Sequence, residues 1–469
     1  MKRSRKKTNN VPTKVNPKPP HPPITLAQKL EMLNPNAAGI DVASEEHWVC
    51  VPEDRAEPHV RCFGAFTHDL YVIADWLTTC GITTVAMEST GVYWIPLFQV
   101  LEAKGFQVCL VNARELKNVS GRPKTDRLDC QWIQRLHSYG LLSASFRPED
   151  EICQIRSLLR HRDNVIRQAA RHIQHMQKAL HQMNLLLDKV IGDITGVTGM
   201  MILRAILDGE RNPRKLARYR DYRIKSTAAE IAKALEGDYR PEHLFVLRQA
   251  FEAYHFSKQQ IQQCDRAVEE LLSKMDQTVE ATPVSLPPST SSHKKPQRNE
   301  PTYDARTYLH YILGVDVTQV PGFQASTVLT IFSETGRDMT KWETDKHFTS
   351  WLGNAPNQKI SGGKELARGT RKVQSRAARA FRQAAMAAAR SHSYIGAFYR
   401  RLCARVGPAK ALTATARKLA VIYYHLVKDG QPYYELGEDY YLKQHETRQV
   451  NKLKQQARLL GFDLIPHTA

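Results

Sequence analysis

The chain has 469 residues, enough for about two to four domains with cores of ordinary size. Its 67 Lys and Arg residues outnumber the 47 Asp and Glu residues, and this net charge of +20 is typical of a protein that binds a polyanion. No apolar run reaches membrane-spanning length and the N-terminus lacks the apolar core of a signal peptide. We therefore expect no membrane partner and a cytoplasmic protein.

The 8 cysteines form no CxxC pair, and most of them lie in apolar segments. We interpret them as small buried hydrophobic residues in a reducing compartment. Their spacing argues against a zinc site.

Residues 1–34 form a basic, proline-rich tail that we expect to be disordered, either touching nucleic acid or simply solvated. Residues 35–147 then alternate strand-like and helix-like patterns, which predicts an α/β domain with a mixed sheet, resembling the RNase H-like fold. The predicted strands are Ala38–Val42, Trp48–Val51, Val60–Phe66, Thr83–Met87 and Gln107–Val111. The predicted helices are Leu70–Cys80, Trp94–Lys104 and Asp126–Tyr139.

Four acidic residues of this domain stand at the ends of predicted elements. Asp41 and Glu88 each close an apolar strand, and Asp126 and Asp129 share one face at the start of an amphipathic helix. Four carboxylates that meet repel one another unless cations lie between them. Two divalent ions that clamp a phosphodiester are the usual resolution, and oxygen ligands favour Mg²⁺, or else Mn²⁺, over zinc.

Residues 148–277 carry two heptad seams, which predict a long coiled-coil helical hairpin. The first seam is interrupted by Arg162, and the second is weaker because Lys258 and Asp265 lie in it. Such a hairpin either pairs protomers as well or packs only within one chain.

Residues 278–302 are rich in Pro, Ser, Thr and Lys and read as a linker. A mainly helical domain is predicted for 303–430, followed by a C-terminal extension, 431–469, to which no role is assigned. Within the helical domain, Pro321 and Gly322 precede an apolar helix. This pattern is typical of a helix-hairpin-helix-like turn that contacts the DNA backbone without reading its sequence.

Ser361 is followed by two glycines and by a group of cations, namely Lys364, Arg368, Arg371 and Lys372. Glycines let the backbone approach a bulky group, and the cations would neutralise a phosphate. Serine is a weak nucleophile without activation, and no histidine stands beside it. Groups from the acidic cluster would have to activate Ser361. The alternative is a Gly-Ser loop on a basic DNA-binding surface.

Four segments, "GIDVAS", "AMESTGVYW", "GRPKTDRLDC" and "SWLGNAPNQKISGGK", together make the chain resemble DEDD-type insertion-sequence transposases, the bridge-RNA-guided serine recombinases. The resemblance runs from about residue 36 to 440 and includes "DITGVTG". It implies a RuvC-type N-terminal domain whose magnesium ligands are the four acids, and it implies that Ser361 attacks a DNA phosphodiester. The tail and the linker depart from the family in length.

The resemblance also implies a prokaryotic, nucleoid-associated protein, and it implies the partners of that protein. A structured non-coding RNA encoded beside the gene would select double-stranded donor and target DNA by base pairing. The protein would work as a tetramer, a dimer of dimers, in which the serine domain of one protomer completes the acidic site of another.

Two other functions stay open at this point. In a RuvC-type, structure-selective junction endonuclease the same acids would activate water, and Ser361 would only contact phosphate. The second alternative is a non-enzymatic, basic scaffold protein that binds nucleic acid. The four acids argue against a scaffold, because carboxylates repel a phosphate backbone.

Overall fold

We analysed a computed structural model of the full chain. The structure describes residues 31–89, 91–112, 125–275, 286, 298–357, 359–362, 364–367, 369–371 and 373–465. The predicted tail up to residue 30, most of the linker, Arg368 and Lys372 lie outside the described residues. The chain divides into two compact units, residues 1–147 and residues 148–469.

The first unit is built on a five-stranded mixed sheet in the order β3-β2-β1-β4-β5. Its strands are β1 Ala37–Val42, β2 Glu46–Cys50, β3 Val60–Gly64, β4 Thr84–Glu88 and β5 Gln107–Val111. β1, β2 and β3 pair antiparallel, whereas β4 runs parallel to both β1 and β5. The predicted α/β domain with a mixed sheet is confirmed.

Three helices of the described residues cover the sheet, α1 Thr67–Thr79, α2 Trp94–Ala103 and α3 Asp126–Ser138. Apolar side chains that alternate along β1 and β4 pack with α1 and α2 in one buried core. On the opposite face α3 lies directly on β1. A Cβ atom on Gly39 would stand 2.2 Å from the backbone nitrogen of Gln134, so only glycine allows this approach.

The second unit begins with two long helices that pack along each other, α4 Asp150–Gln182 and α9 Pro241–Lys274. Short helices lie between them in the chain, α5 Leu187–Val190, α6 Val197–Leu207, α7 Pro213–Ala217 and α8 Ala228–Ala234. Apolar residues of the short helices join those of α4 and α9 in one core. One predicted heptad series is fully buried, namely Ile155, Arg162, Ala169, Met176 and Met183.

Two of the charged residues that interrupt the heptad seams face each other inside this helix pair. Arg162 is 6% exposed and Asp265 is 1% exposed. Arg162 donates from Nε to Oδ1 of Asp265 at 2.5 Å and from a terminal nitrogen to Oδ2 at 3.3 Å. The end of the predicted linker is tied to the same pair, since Asn299 accepts from Arg162 and Thr302 donates to Asp265.

The remainder of the second unit is mainly helical and carries one β-hairpin. The helices are α10 Ala305–Leu313, α11 Ala325–Thr335, α12 Asp345–Trp351, α13 Arg376–Ala388, α14 Tyr394–Val406, α15 Pro408–Asp429 and α16 Gly437–Leu459, with 3-10 turns at Val317–Gln319 and Met339–Lys341. The hairpin strands are β6 Lys359–Ser361 and β7 Lys364–Ala367. Buried aromatic rings form the core between α12, α13 and α15, namely Phe348, Phe381, Tyr423 and Tyr424.

All eight cysteines are free thiols, and Cys62 is exposed. The interpretation of the cysteines as buried hydrophobic residues is therefore wrong for Cys62, because it lies on the edge strand β3, where one side chain in two faces outward. Among the helices that the structure describes, none is long and apolar enough to cross a membrane.

Candidate functional site

The two strand-end acids of the first unit are neighbours in the sheet. In the parallel pairing of β1 with β4, Ile40 stands opposite Met87, so the next pair along the strands is Asp41 and Glu88. Adjacent strands lie about 4.8 Å apart, and paired residues point to the same face. That face is the one covered by α3, and both acids are half-buried there.

Helix α3 runs antiparallel to β1, and this direction brings its first turn to the same place. At its C-terminal end, Asn34 donates its backbone N–H to the carbonyl of Ser138 at 2.9 Å. One turn earlier, Gln134 donates to the carbonyl of Ala37 at 3.3 Å. Following the helix towards its N-terminus therefore leads along β1 to Asp41.

Asp126 acts electrostatically on the cross-strand row of residues formed by Asp41, Trp48 and Cys62. Asp41 pairs with Trp48 on β2, and Trp48 pairs with Cys62 on β3. Burial raises the pKa of the Cys62 thiol to about 11, with further contributions from the hydrogen bond and charge of Glu46 and from the charge of Asp126. The first turn of α3 thus lies beside this row of the sheet.

Local sequence explains why α3 begins where it does. The Thr125 hydroxyl accepts the backbone N–H of Leu128 at 3.3 Å and caps the helix. Asp126 and Asp129 occupy the first turn, where the helix dipole favours negative charge. Asp126 is exposed and Asp129 is half-buried.

Asp41 and Glu88 lie together at the carboxyl ends of β1 and β4, but the side chains of the four acids are not arranged as a metal site. Across the described ranges, no group of three or more His, Cys, Asp or Glu side chains is arranged to hold a metal ion. The donor set is nevertheless made only of carboxylate oxygens, which suits Mg²⁺ and Mn²⁺. The ligand role of Asp41, Glu88, Asp126 and Asp129 stays a prediction.

The serine segment forms a two-stranded hairpin, where the sequence had suggested a loop. Ser361 is the last residue of β6 and stands directly opposite Lys364 on β7. Gly362 follows Ser361 and has φ 55°, a left-handed conformation that favours glycine. Both Ser361 and Lys364 are exposed. The hairpin thus presents a hydroxyl and an ammonium side by side.

Two other predicted nucleic-acid contacts have structural partners of their own. Arg371 is exposed and donates to the carbonyl of Ser350 at 3.1 Å. Gly322 has φ +97°, and a Cβ atom there would lie 2.3 Å from the carbonyl oxygen of Ala384 in α13. Packing and backbone conformation therefore require this glycine, and its contact with DNA stays a prediction.

Sequence reasoning missed the residues that flank Asp41 on β2 and β3. Trp48 donates its indole N–H to Glu46 Oε1 at 3.0 Å, and Cys62 donates its thiol to Glu46 Oε2 at 3.2 Å. These hydrogen bonds, first that from Trp48 and then that from Cys62, lower the pKa of Glu46. The only signal in the sequence was the alternation of β2, which becomes informative once its register with β1 is known.

Two segments of the chain match models of known protein families. Residues 38–185 match the family model of DEDD transposases of the IS110 type, described as a transposase. Residues 316–400 match a second family model, described as transposase IS116/IS110/IS902 family. The matches indicate a transposase.

Each matched segment of this DNA-processing enzyme contains one of the two predicted reactive centres. The first segment includes the sheet and the four acids, and the second includes the hairpin of Ser361. A transposase acts on DNA, which agrees with the net charge of +20. No curated protein matches the chain.

Proposed function

We propose that the chain is the transposase of an insertion sequence, which cuts and rejoins DNA with an acidic metal site and a serine nucleophile. The proposal rests on one observation: each of the two segments that match a transposase family contains one of the two predicted reactive centres. Residues 38–185 hold the acids, and residues 316–400 hold the exposed Ser361.

In the first unit, Asp41, Glu88, Asp126 and Asp129 would hold Mg²⁺, or Mn²⁺ in its place. The bound cation would draw charge away from the scissile phosphate. Asp41 and Glu88 are fixed by neighbouring strands, so they would set the position of the phosphate. Asp126 is exposed, so its side chain can turn towards that position.

In the second unit, Ser361 would attack the phosphorus atom. A bond forms between its Oγ and phosphorus, and the bond from phosphorus to one deoxyribose oxygen breaks. The serine gives up its proton, and the departing sugar oxygen gains one. The phosphoserine keeps the energy of the phosphodiester, so the exchanged strand can be rejoined without ATP.

The cations beside Ser361 would stabilise charge on the non-bridging oxygens. Lys364 stands opposite Ser361 in the hairpin and is exposed, which supports this role. Arg371, Arg368 and Lys372 would add contacts with the phosphates of the same strand.

A bound guide RNA and a tetramer complete the proposal. The RNA would choose donor and target DNA by base pairing, and the serine of one protomer would serve the acids of another. The net charge of +20 and the resemblance of the sequence support an RNA partner. Purification of the protein from its host, followed by sequencing of the bound RNA, should return one abundant structured species. A random sample of cellular RNA would count against the guide.

The nucleophile is tested with DNA that carries a labelled phosphate. Ser361→Ala should lose both the labelled protein adduct and the rejoined product. Ser350→Ala, which changes another exposed serine of the same domain, should keep both. Cleavage that persists in Ser361→Ala, with hydrolysed ends, would instead support the junction endonuclease.

A second variant separates an enzyme from a scaffold. Asp126→Asn removes one charge from an exposed position, so the fold should be unaffected. We expect DNA binding to persist and both adduct and product to disappear. Normal product formation by this variant would remove Asp126 from the reaction.

A further inference from the structure

Among the described residues, exposure rises along the cross-strand row that contains the acids. On β5, Val111 stands next to Glu88 and is 0% exposed. In the opposite direction, Asp41 and Trp48 are half-buried, and Cys62 on the edge strand is exposed. Within this part of the chain, the accessible side of the row lies over β2 and β3, and a DNA strand that reaches the acids from this side passes Trp48.

Trp48 stands at the centre of this approach, directly beside Asp41. Its indole N–H is held by Glu46 at 3.0 Å, and Glu46 is held in turn by the thiol of Cys62. One side of the indole packs against a small buried cluster of Cys50, Val60 and Cys130. These contacts fix the ring and leave part of its surface exposed next to a carboxylate.

We propose that Trp48 is a positioning residue, which stacks on a nucleotide of the DNA strand next to the phosphate held by the acids. This inference rests on the proposed function and names how the same site holds its substrate. Carboxylates repel DNA until cations neutralise them, whereas stacking on an aromatic ring attracts a base without any charge. Arg127, exposed in the first turn of α3, supplies a cation for a flanking phosphate.

The first test compares Trp48→Ala and Trp48→Phe with Trp76→Phe. Trp76 lies in the same unit and packs against Phe63 in the core on the other face of the sheet, away from the acids. Stacking on one base corresponds to an affinity change of about 5- to 150-fold. Trp48→Ala should weaken DNA binding and slow adduct formation by that range at low DNA concentration. Trp48→Phe should restore most of both, and Trp76→Phe should change neither.

Two results of this comparison would overturn the inference. In one, Trp48→Ala binds DNA and forms the adduct as the wild type does. In the other, Trp48→Phe is as impaired as Trp48→Ala and melts at the same lowered temperature, which would assign Trp48 to the core alone. If the wild type itself forms no adduct, the proposed function fails instead, so the two failures are distinguishable.

A second test needs no variant, because Cys62 is the single exposed cysteine among the eight. The wild-type chain is treated with N-ethylmaleimide at about pH 9, since the raised pKa of Cys62 slows its reaction. A short DNA duplex should protect Cys62 and leave the labelling of the half-buried Cys153 in the second unit unchanged. Equal labelling of Cys62 with and without bound DNA would show that DNA does not cover β2 and β3.

Discussion

Removal of one partner from the buried Arg162–Asp265 pair should strongly destabilise the second unit. Asp265→Ala leaves the charge of Arg162, a residue only 6% exposed, with the carbonyl of Asn299 as its remaining hydrogen-bond acceptor among the described residues. Breaking a buried ion pair in this way costs about 3–5 kcal/mol. For a unit of this size, we expect the melting temperature to fall by roughly 4–7 °C.

The assay is thermal unfolding of the full chain, followed together with limited trypsin digestion. Asp265 also accepts hydrogen bonds from the backbone and hydroxyl of Thr302, so its loss should release the end of the linker. We therefore expect faster cleavage after Arg298 in Asp265→Ala. The double variant Arg162→Met with Asp265→Leu should recover most of the stability, because apolar residues of similar volume replace both charges.

The control is Asp238→Ala, which breaks an exposed ion pair with Arg240 at 2.8 Å. Its expected effect is small, because solvent screens exposed pairs. A loss of stability in Asp265→Ala no larger than in Asp238→Ala would refute the reasoning. So would a double variant that is less stable than Asp265→Ala alone.

Three further changes test other parts of the structure. Gly39→Ala should destabilise the first unit by about 1–3 kcal/mol or more, since the added Cβ would stand 2.2 Å from the backbone of α3. The control Gly192→Ala places its Cβ in open space, so it should not change stability in the same melting assay. Asp316→Asn should flatten the acid side of the curve of stability against pH. Burial would raise the pKa of Asp316, but hydrogen bonds led by that from Arg306 lower it below its usual value. The ionised carboxylate therefore stabilises the fold above the unfolded pKa, and this stabilisation is lost below about pH 4. Lys364→Ala should slow adduct formation at least about tenfold in single-turnover kinetics, with DNA affinity little changed.

Short apolar runs were sufficient to predict the strands of the first unit. Each of the five observed strands begins and ends within two residues of its prediction, because a short apolar run bounded by polar residues is typical of a buried strand. The positions of Asp41 and Glu88 at strand ends could therefore be predicted. Their adjacency could not, because it depends on the register between β1 and β4.

The sequence alone also could not predict which residues of the two long helices contact each other. Arg162 and Asp265 each weaken a heptad pattern when a single helix is considered. The two residues are 103 positions apart in the chain, and only the packing of α4 on α9 shows that they neutralise each other. The hairpin around Ser361 was hidden for a local reason, since two short strands with charged residues resemble a loop.

In the proposed site, acids from β1, β4 and α3 act together on divalent cations. Titration of the full chain with Mn²⁺, followed by electron paramagnetic resonance, tests this claim without any need for DNA. We expect the wild type to bind Mn²⁺, and Asp41→Asn and Glu88→Gln each to lose that binding. The control Asp75→Asn changes an exposed acid of α1 that pairs with Lys104, and it should bind as the wild type does. Unchanged Mn²⁺ binding in Asp41→Asn and Glu88→Gln would contradict the account.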